Sequence, residues 1–223
     1  MNFRNVLTIL LLCMSVTISV IAEEKRPPEV TVDGLHRIDG TKMALVYAKP
    51  GVDLSQYKRI YLVQPQVSFI KDWLNFQNNK LRQQVTVDDM QRIKTDLAAL
   101  FMEVFKDELQ NNGGYELVDF AAEDVLIVHP SIVDLNVISP DTPGTRNQRS
   151  AIASVGSMFL FMELIDSVTG DKLVKAMDNK YDQTRTRPVP NKVRNERAAR
   201  DMLGEWAELL RLALDEARAV VSK

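Results

Sequence analysis

Cysteine occurs once in the 223 residues, at Cys13, and histidine twice, at His36 and His129. Cys13 sits inside an N-terminal apolar run, so the rest of the chain carries no thiol. That excludes a disulfide framework, a thiolate nucleophile, a CxxC redox pair and a cysteine zinc site. Two isolated histidines with no partner at ligand spacing, and no HExxH, leave no recognisable metal motif. His129, between Val128 and Pro130 in a β-forming run, reads as a strand-end residue with one satisfied ring nitrogen. The Gly-x-Ser-x-Gly elbow, the phosphate-cradling loop and the dinucleotide fingerprint are all missing. Charge of one sign is scarce as well: 28 basic residues face 30 acidic ones, a net charge of −2. Such a balance excludes the strongly basic domain of a dedicated nucleic-acid binder. No cofactor, metal or nucleic acid is expected.

Long hydrophobic runs are confined to one place. Arg4 precedes a nearly unbroken stretch of apolar and small residues from Val6 to Ile21, which closes on Val20-Ile21-Ala22 before Glu23, Glu24, Lys25 and Arg26. This is the pattern of a secretory signal peptide: a charged start, an apolar stretch shorter than the ~20 residues of a spanning helix, and acceptable −3 and −1 side chains. Cleavage is expected after Ala22, leaving a periplasmic or secreted chain with 27 basic and 30 acidic residues. A lipid anchor at Cys13 is not expected, because Leu10-Leu11-Leu12-Cys13 puts a bulky residue where lipoprotein processing needs a small one.

Residues 23–40 lack periodicity and read as an extended leader, partly disordered, ahead of one domain over 41–223. Short strands are expected at Met43–Tyr47 and Lys58–Val63, and an irregular or short helical excursion between Gln66 and Val85. Thr86 with Asp88 and Asp89 is a helix start, and Met90, Ile93, Leu97, Phe101, Val104 and Phe105 continue it as one apolar stripe up to Gly113-Gly114. Tyr115–Val118 restarts extended structure. Val125–Ile138 reads as a long strand with a bulge or an edge position at Pro130. Ala153–Asp166 alternates Met158, Leu160, Met162 and Leu164 against Phe159 and Phe161. Asp166-Ser-Val-Thr-Gly170 is a hairpin turn into Lys172–Tyr181, whose charges suit a sheet edge. Ala199, Leu203, Trp206, Leu210 and Ala213 mark a second long helix, with Trp206 as a core anchor. The fold class expected from this order is α+β: one domain, an approximately five-stranded, mostly antiparallel sheet, and two long helices on one face.

One feature stands above background. Arg185, Arg187, Lys192, Arg194, Arg197 and Arg200 fall within sixteen residues that hold a single acid, Glu196. The loop from Ser139 to Ser150 adds Arg146 and Arg149. Arginine's planar fork suits phosphate and carboxylate groups, so Arg146, Arg149, Arg185, Arg187, Arg194 and Arg197 form the candidate binding surface. An envelope protein, an anionic polymer or a lipid surface is the expected partner. The adjacent acids Asp88-Asp89 and Glu123-Asp124 point to different sides of their elements and read as cap and turn residues, not as an acid/base couple. No catalytic residue is assigned.

Tyr47-Ala-Lys-Pro-Gly51, Asp53-Leu-Ser-Gln-Tyr57, Gly114-Tyr-Glu-Leu-Val118, Asp124-Val-Leu126, Asp166-Ser-Val-Thr-Gly170 and the helix around Trp206-Ala207 resemble the bacterial family called domain of unknown function 3313 (DUF3313). The resemblance runs from about residue 31 to 221. It implies a secreted, often lipid-anchored envelope protein of unassigned activity, and this chain departs from the lipid-anchored members at Cys13. The expected function is a non-enzymatic periplasmic binding or accessory module. The alternative is a hydrolase or transferase with an unrecognised site built from Asp, Arg, Tyr or Ser. The exported product should begin at Glu23, as intact-mass measurement of the secreted chain would show; a lipid-modified Cys13 species would overturn the assignment.

Overall fold

The structure is a computed structural model and describes residues 26–80, 84–138, 140, 155–182 and 192–221. Eight strands make one sheet: β1 His36–Ile38, β2 Leu45–Ala48, β3 Arg59–Leu62, β4 Gln66–Phe69, β5 Glu116–Leu117, β6 Val125–Val137, β7 Val155–Asp166 and β8 Lys172–Tyr181. Their order is β1-β2-β8-β7-β6-β3-β5, with β4 also paired to β6. Among the described residues three helices accompany it, α1 Trp73–Asn75, α2 Val87–Asp107 and α3 Lys192–Val221, with one turn of π-helix after α1 and another after α2.

The expected α+β class holds, while its sheet is larger and more mixed than five mostly antiparallel strands. The pairs β1–β2, β2–β8, β8–β7 and β7–β6 are antiparallel, but β3 and β4 both run parallel to β6, and β5 runs parallel to β3. The cause is the crossover through α2, which carries the chain from β4 back to enter β6 in the same direction. Five of the eight strands have two to four residues, and β1 and β4 among them are too short for alternation to show in a sequence. The expected excursion over Gln66–Val85 thus begins with β4. The leader, expected to be aperiodic, buries Leu35 and carries β1. β8, expected at an edge, lies inside the sheet between β2 and β7.

Pro130 shows how β6 tolerates a missing donor in its interior. The Val128 carbonyl accepts from the Val63 amide, so even-numbered residues in this half of β6 turn their backbone groups toward β3. Two residues on, Pro130 faces the break between β3, which ends at Leu62, and β4, which begins at Gln66. No ladder bond is demanded there. The irregularity expected at Pro130 falls later, between Val133 and Asn136, where Asp134 takes a φ of 51°.

Helix starts and turns follow local chemistry. Thr86 and Asp89 close a capping box, Thr86 Oγ1 accepting from the Asp89 amide at 3.1 Å and Asp89 Oδ2 accepting from the Thr86 amide at 2.9 Å. At the β7–β8 hairpin, Asp166 Oδ1 accepts from the Val168 and Thr169 amides at 2.9 and 2.7 Å, and Gly170 takes the φ of +74° that closes the turn.

The core lies between the helices and one sheet face. Leu126, Val128, Ile132, Met158, Leu160 and Met162 from the sheet join Ile93, Leu97, Phe101 and Phe105 from α2 and Leu203, Trp206 and Leu210 from α3 in one buried cluster. Trp206 is fully buried, and its Nε1 donates to Asp178 Oδ2 at 2.8 Å. Asp178 Oδ1 accepts from the Ala44 amide at 3.2 Å, so one carboxylate ties α3, β8 and the entry to β2 together. Trp206→Ala should cost about 3–5 kcal/mol in a denaturant melt. Trp206→Phe should recover only part of that loss, falling short by roughly 1–3 kcal/mol for the carboxylate oxygen left without its donor.

Candidate functional site

Of the arginines expected to form a binding surface, Arg146, Arg149, Arg185 and Arg187 lie outside the described residues, as does the side chain of Arg194. Arg197 is 79% exposed on α3, its Nε 4.0 Å from Asp201 Oδ2 one turn on. Arg200, from the same basic run, pairs with Glu103 of α2 at 2.9 Å. At least this member braces the two helices.

The described residues contain a different site, built where β1, β2, β8 and β7 cross beneath α3. A cleft of about 480 Å³ opens there, a size within the usual range for small-molecule sites. Its floor comes from one rung of the sheet. Ile38 pairs with Val46, Val46 with Ala176, and Ala176 with Met162, so one apolar side chain from each of four strands points to the helical face. Leu164 and Val174 add the next rung. α3 supplies the wall with Leu209, Leu210, Leu212, Ala213 and Glu216, spaced at three and four so that they share one side of the helix. The third side is the connection from Asp39 to Met43, which turns at Gly40 with a φ of +77°. Its far end is fixed by the Ala44 amide on Asp178. Two of the large apolar residues that the fold leaves exposed, Ile38 at 44% and Leu212 at 38%, stand at this cleft. Among its charged residues, Asp39 is engaged by Arg37 at 3.0 Å; Lys42 and Glu216 are exposed at the rim.

The opposite face of the same strands carries charge, as strand alternation requires. One residue along, the rung reads Arg37, Tyr47, Lys175, Glu163, His129 across β1, β2, β8, β7 and β6. The Glu163 side chain is only 9% exposed and lies 2.9 Å from Lys172 Nζ and 3.7 Å from Lys175 Nζ. Asp33 also pairs with Lys175, and Lys172 is 3.9 Å from it. His129 stands in mid-strand with Nδ1 3.8 Å from Glu163 Oε2, so it is neither at a strand end nor hydrogen-bonded to that carboxylate. This cluster fastens the leader: the tight turn Thr31–Leu35 is pinned by Asp33 while Leu35 and Tyr47 are buried, and the Tyr47 hydroxyl donates to the Pro28 carbonyl at 2.9 Å.

A Tyr/Asp pair of the type considered for hydrolase or transferase chemistry occurs at the hairpin end of the sheet. The Tyr57 hydroxyl donates to Asp166 Oδ2 at 2.7 Å. Burial, with that carboxylate beside it, pushes the Tyr57 phenol up to about 12, so it is a proton donor in a brace at neutral pH. The backbone amide of Thr169 and the other donors hold Asp166 below the ordinary carboxylate range. Among the described residues no group of three His, Cys, Asp or Glu side chains is placed to hold a metal ion, and no described helix is long and apolar enough to cross a membrane.

A mixed α+β layer with an apolar cleft under its last helix defines a class of small module. The chain belongs to the DUF3313 family, described as protein of unknown function, whose pattern it matches over residues 32–210. A comparison with curated proteins finds no match. Among solved structures, the chain is similar to the PelC dodecamer from Paraburkholderia phytofirmans at 9% identity and a TM-score of 0.38, over 74% of this chain and 95% of that one. It is also similar to a DUF4136 family protein from Bacteroides thetaiotaomicron at 10% identity and a TM-score of 0.33, over 74% and 95% of the two chains. Neither likeness lends this chain a site or an activity.

The leader clamp has a defined pH window. Hydrogen bonding to Lys175 holds the Asp33 carboxyl below its ordinary 3.8, so its contribution is complete above that value and is lost as the pH falls through a point lower still. Glu163 raises Lys172 above its ordinary 10.5, so that contribution is complete below 10.5 and is lost only above it. Followed in a His36→Asn chain, which removes the imidazole next to the reporter, the Leu35 methyl resonances should therefore hold steady from about pH 5 to about pH 9 and shift only at the two extremes. In Asp33→Asn they should shift throughout, while the melting temperature changes little.

Proposed function

We propose that this chain is a non-catalytic binding module of the bacterial envelope, and that its binding site is the cleft between α3 and the β7-β8-β2-β1 edge. The observation that carries the proposal is the cleft's construction: an apolar floor from four strands, an apolar helical wall, and a rim with two exposed apolar residues and three charged ones. Apolar surface left open next to a concavity of this size is characteristic of a ligand or partner site. The envelope assignment rests on residues 1–22, which read as an export signal. The arginines of the 139–150 loop and of the segment leading into α3 are a second contact in this proposal, suited to an anionic surface.

A neutral apolar fluorophore, 1-aminoanthracene, tests the site. Its emission should rise on mixing with the chain, and Ala213→Trp, placed at the exposed cleft wall, should reduce that rise at least tenfold without lowering the melting temperature. Ile38→Lys should act in the same direction by placing charge on the rim. A rise that neither substitution changes, or no rise at all, would sink the proposal.

A further inference from the structure

Resting on that reading of the cleft, we infer that its ligand is a single-chain zwitterionic amphiphile of the lysophospholipid kind, with the alkyl chain along the Ile38–Val46–Ala176–Met162 rung and the head between Lys42 and Glu216. The first step is the lining. The four side chains of the rung and the facing Leu209 and Ala213 offer contact without hydrogen-bonding capacity. Thr41 could bond a ligand, but its hydroxyl already donates to the Met43 carbonyl at 3.0 Å. A peptide in this space would bring backbone donors and acceptors with few partners, and each buried without one costs free energy. An alkyl chain brings none.

The second step is the rim. Glu216 on α3 and Lys42 on the Asp39–Met43 connection put opposite charges on two different elements bordering one opening. Asp39 is held at 3.0 Å by Arg37, which it shares with Glu29, so Lys42 and Glu216 are the rim charges left to meet a ligand. A phosphate suits Lys42 and a quaternary or primary ammonium suits Glu216. A head carrying only one sign of charge would satisfy one rim group and be repelled by the other.

Calorimetric titration with dodecylphosphocholine, kept below its micelle concentration, tests this. Binding should tighten roughly three- to fourfold per methylene from the eight- to the twelve-carbon homologue. At equal chain length, laurate, dodecyltrimethylammonium and dodecyl maltoside should all bind more weakly than the phosphocholine. Lys42→Glu and Glu216→Lys should each weaken phosphocholine binding about two- to fivefold, leave dodecyl maltoside unaffected, and compensate each other in the double variant, where the head can turn round.

If laurate or the maltoside binds as tightly as the phosphocholine, or if the charge reversals have no effect, the head-group assignment is overturned. If no amphiphile binds while 1-aminoanthracene still enters in an Ala213-dependent manner, the cleft stands as a site and the ligand class falls. If neither dye nor amphiphile binds, the proposed function falls with it. Self-association abolished by Ala213→Trp and indifferent to amphiphile would assign the cleft to a second copy of the chain and overturn the inference.

Discussion

Asp178 is the point on which the arrangement turns. A carboxylate on a buried sheet position is costly unless its oxygens are engaged, and each of the two here has a specific donor, the Trp206 indole on one and the Ala44 amide on the other. Those donors belong to α3 and to the approach to β2, which share no other covalent or ladder connection. One side chain therefore links the helix, seated on the sheet by its buried apolar residues, to the course of the Asp39–Met43 connection. The cleft is the space left between them. A hydrophobic residue at 178 could fill the core as well, but it would hold neither wall.

The cleft and the charged row on the other face are two readings of one strand register. Successive residues in β1, β2, β8 and β7 alternate between faces, so the pairing that aligns Ile38, Val46, Ala176 and Met162 on one side aligns Arg37, Tyr47, Lys175 and Glu163 on the other. A slip of one residue would place Glu163 and Lys175 in the core and the apolar rung in solvent. The ion pairs among Asp33, Lys172, Lys175 and Glu163 thus act against misregistration as well as fastening the leader.

Much of the scaffold was legible in the sequence. The stripes of α2 and α3, the capping box at Thr86 and the Asp166–Gly170 hairpin follow from interactions between residues three or four apart, which a linear reading detects. The parallel pairing of β3 and β4 with β6 depends on where a crossover returns, and β1 and β4, with three and four residues, carry too little pattern to be seen. β8 read as an edge because of its lysines, yet Lys175 and Lys180 leave along the two faces of an interior strand to Glu163 and Glu205. Pro130 read as a mark of a bulge or an edge; the bulge lies further on, between Val133 and Asn136, and Pro130 faces the gap between two end-to-end partners. The cleft had no linear signature, since its floor takes one residue from each of four strands; only Ile38, apolar between Arg37 and Asp39, hinted at it. Most of the arginine set lies outside the described residues.

The leader's attachment also has a mechanical direction. It is held by the Asp33 ion pairs on one face and by a three-residue antiparallel strand at the sheet edge. Tension from the N-terminal side would meet these one at a time, opening the edge like a zipper rather than shearing many bonds at once. After β1, the next stretch to be freed is Asp39–Met43, the wall of the cleft, and the peeling would stop at Ala44, where the Asp178 carboxylate takes the load.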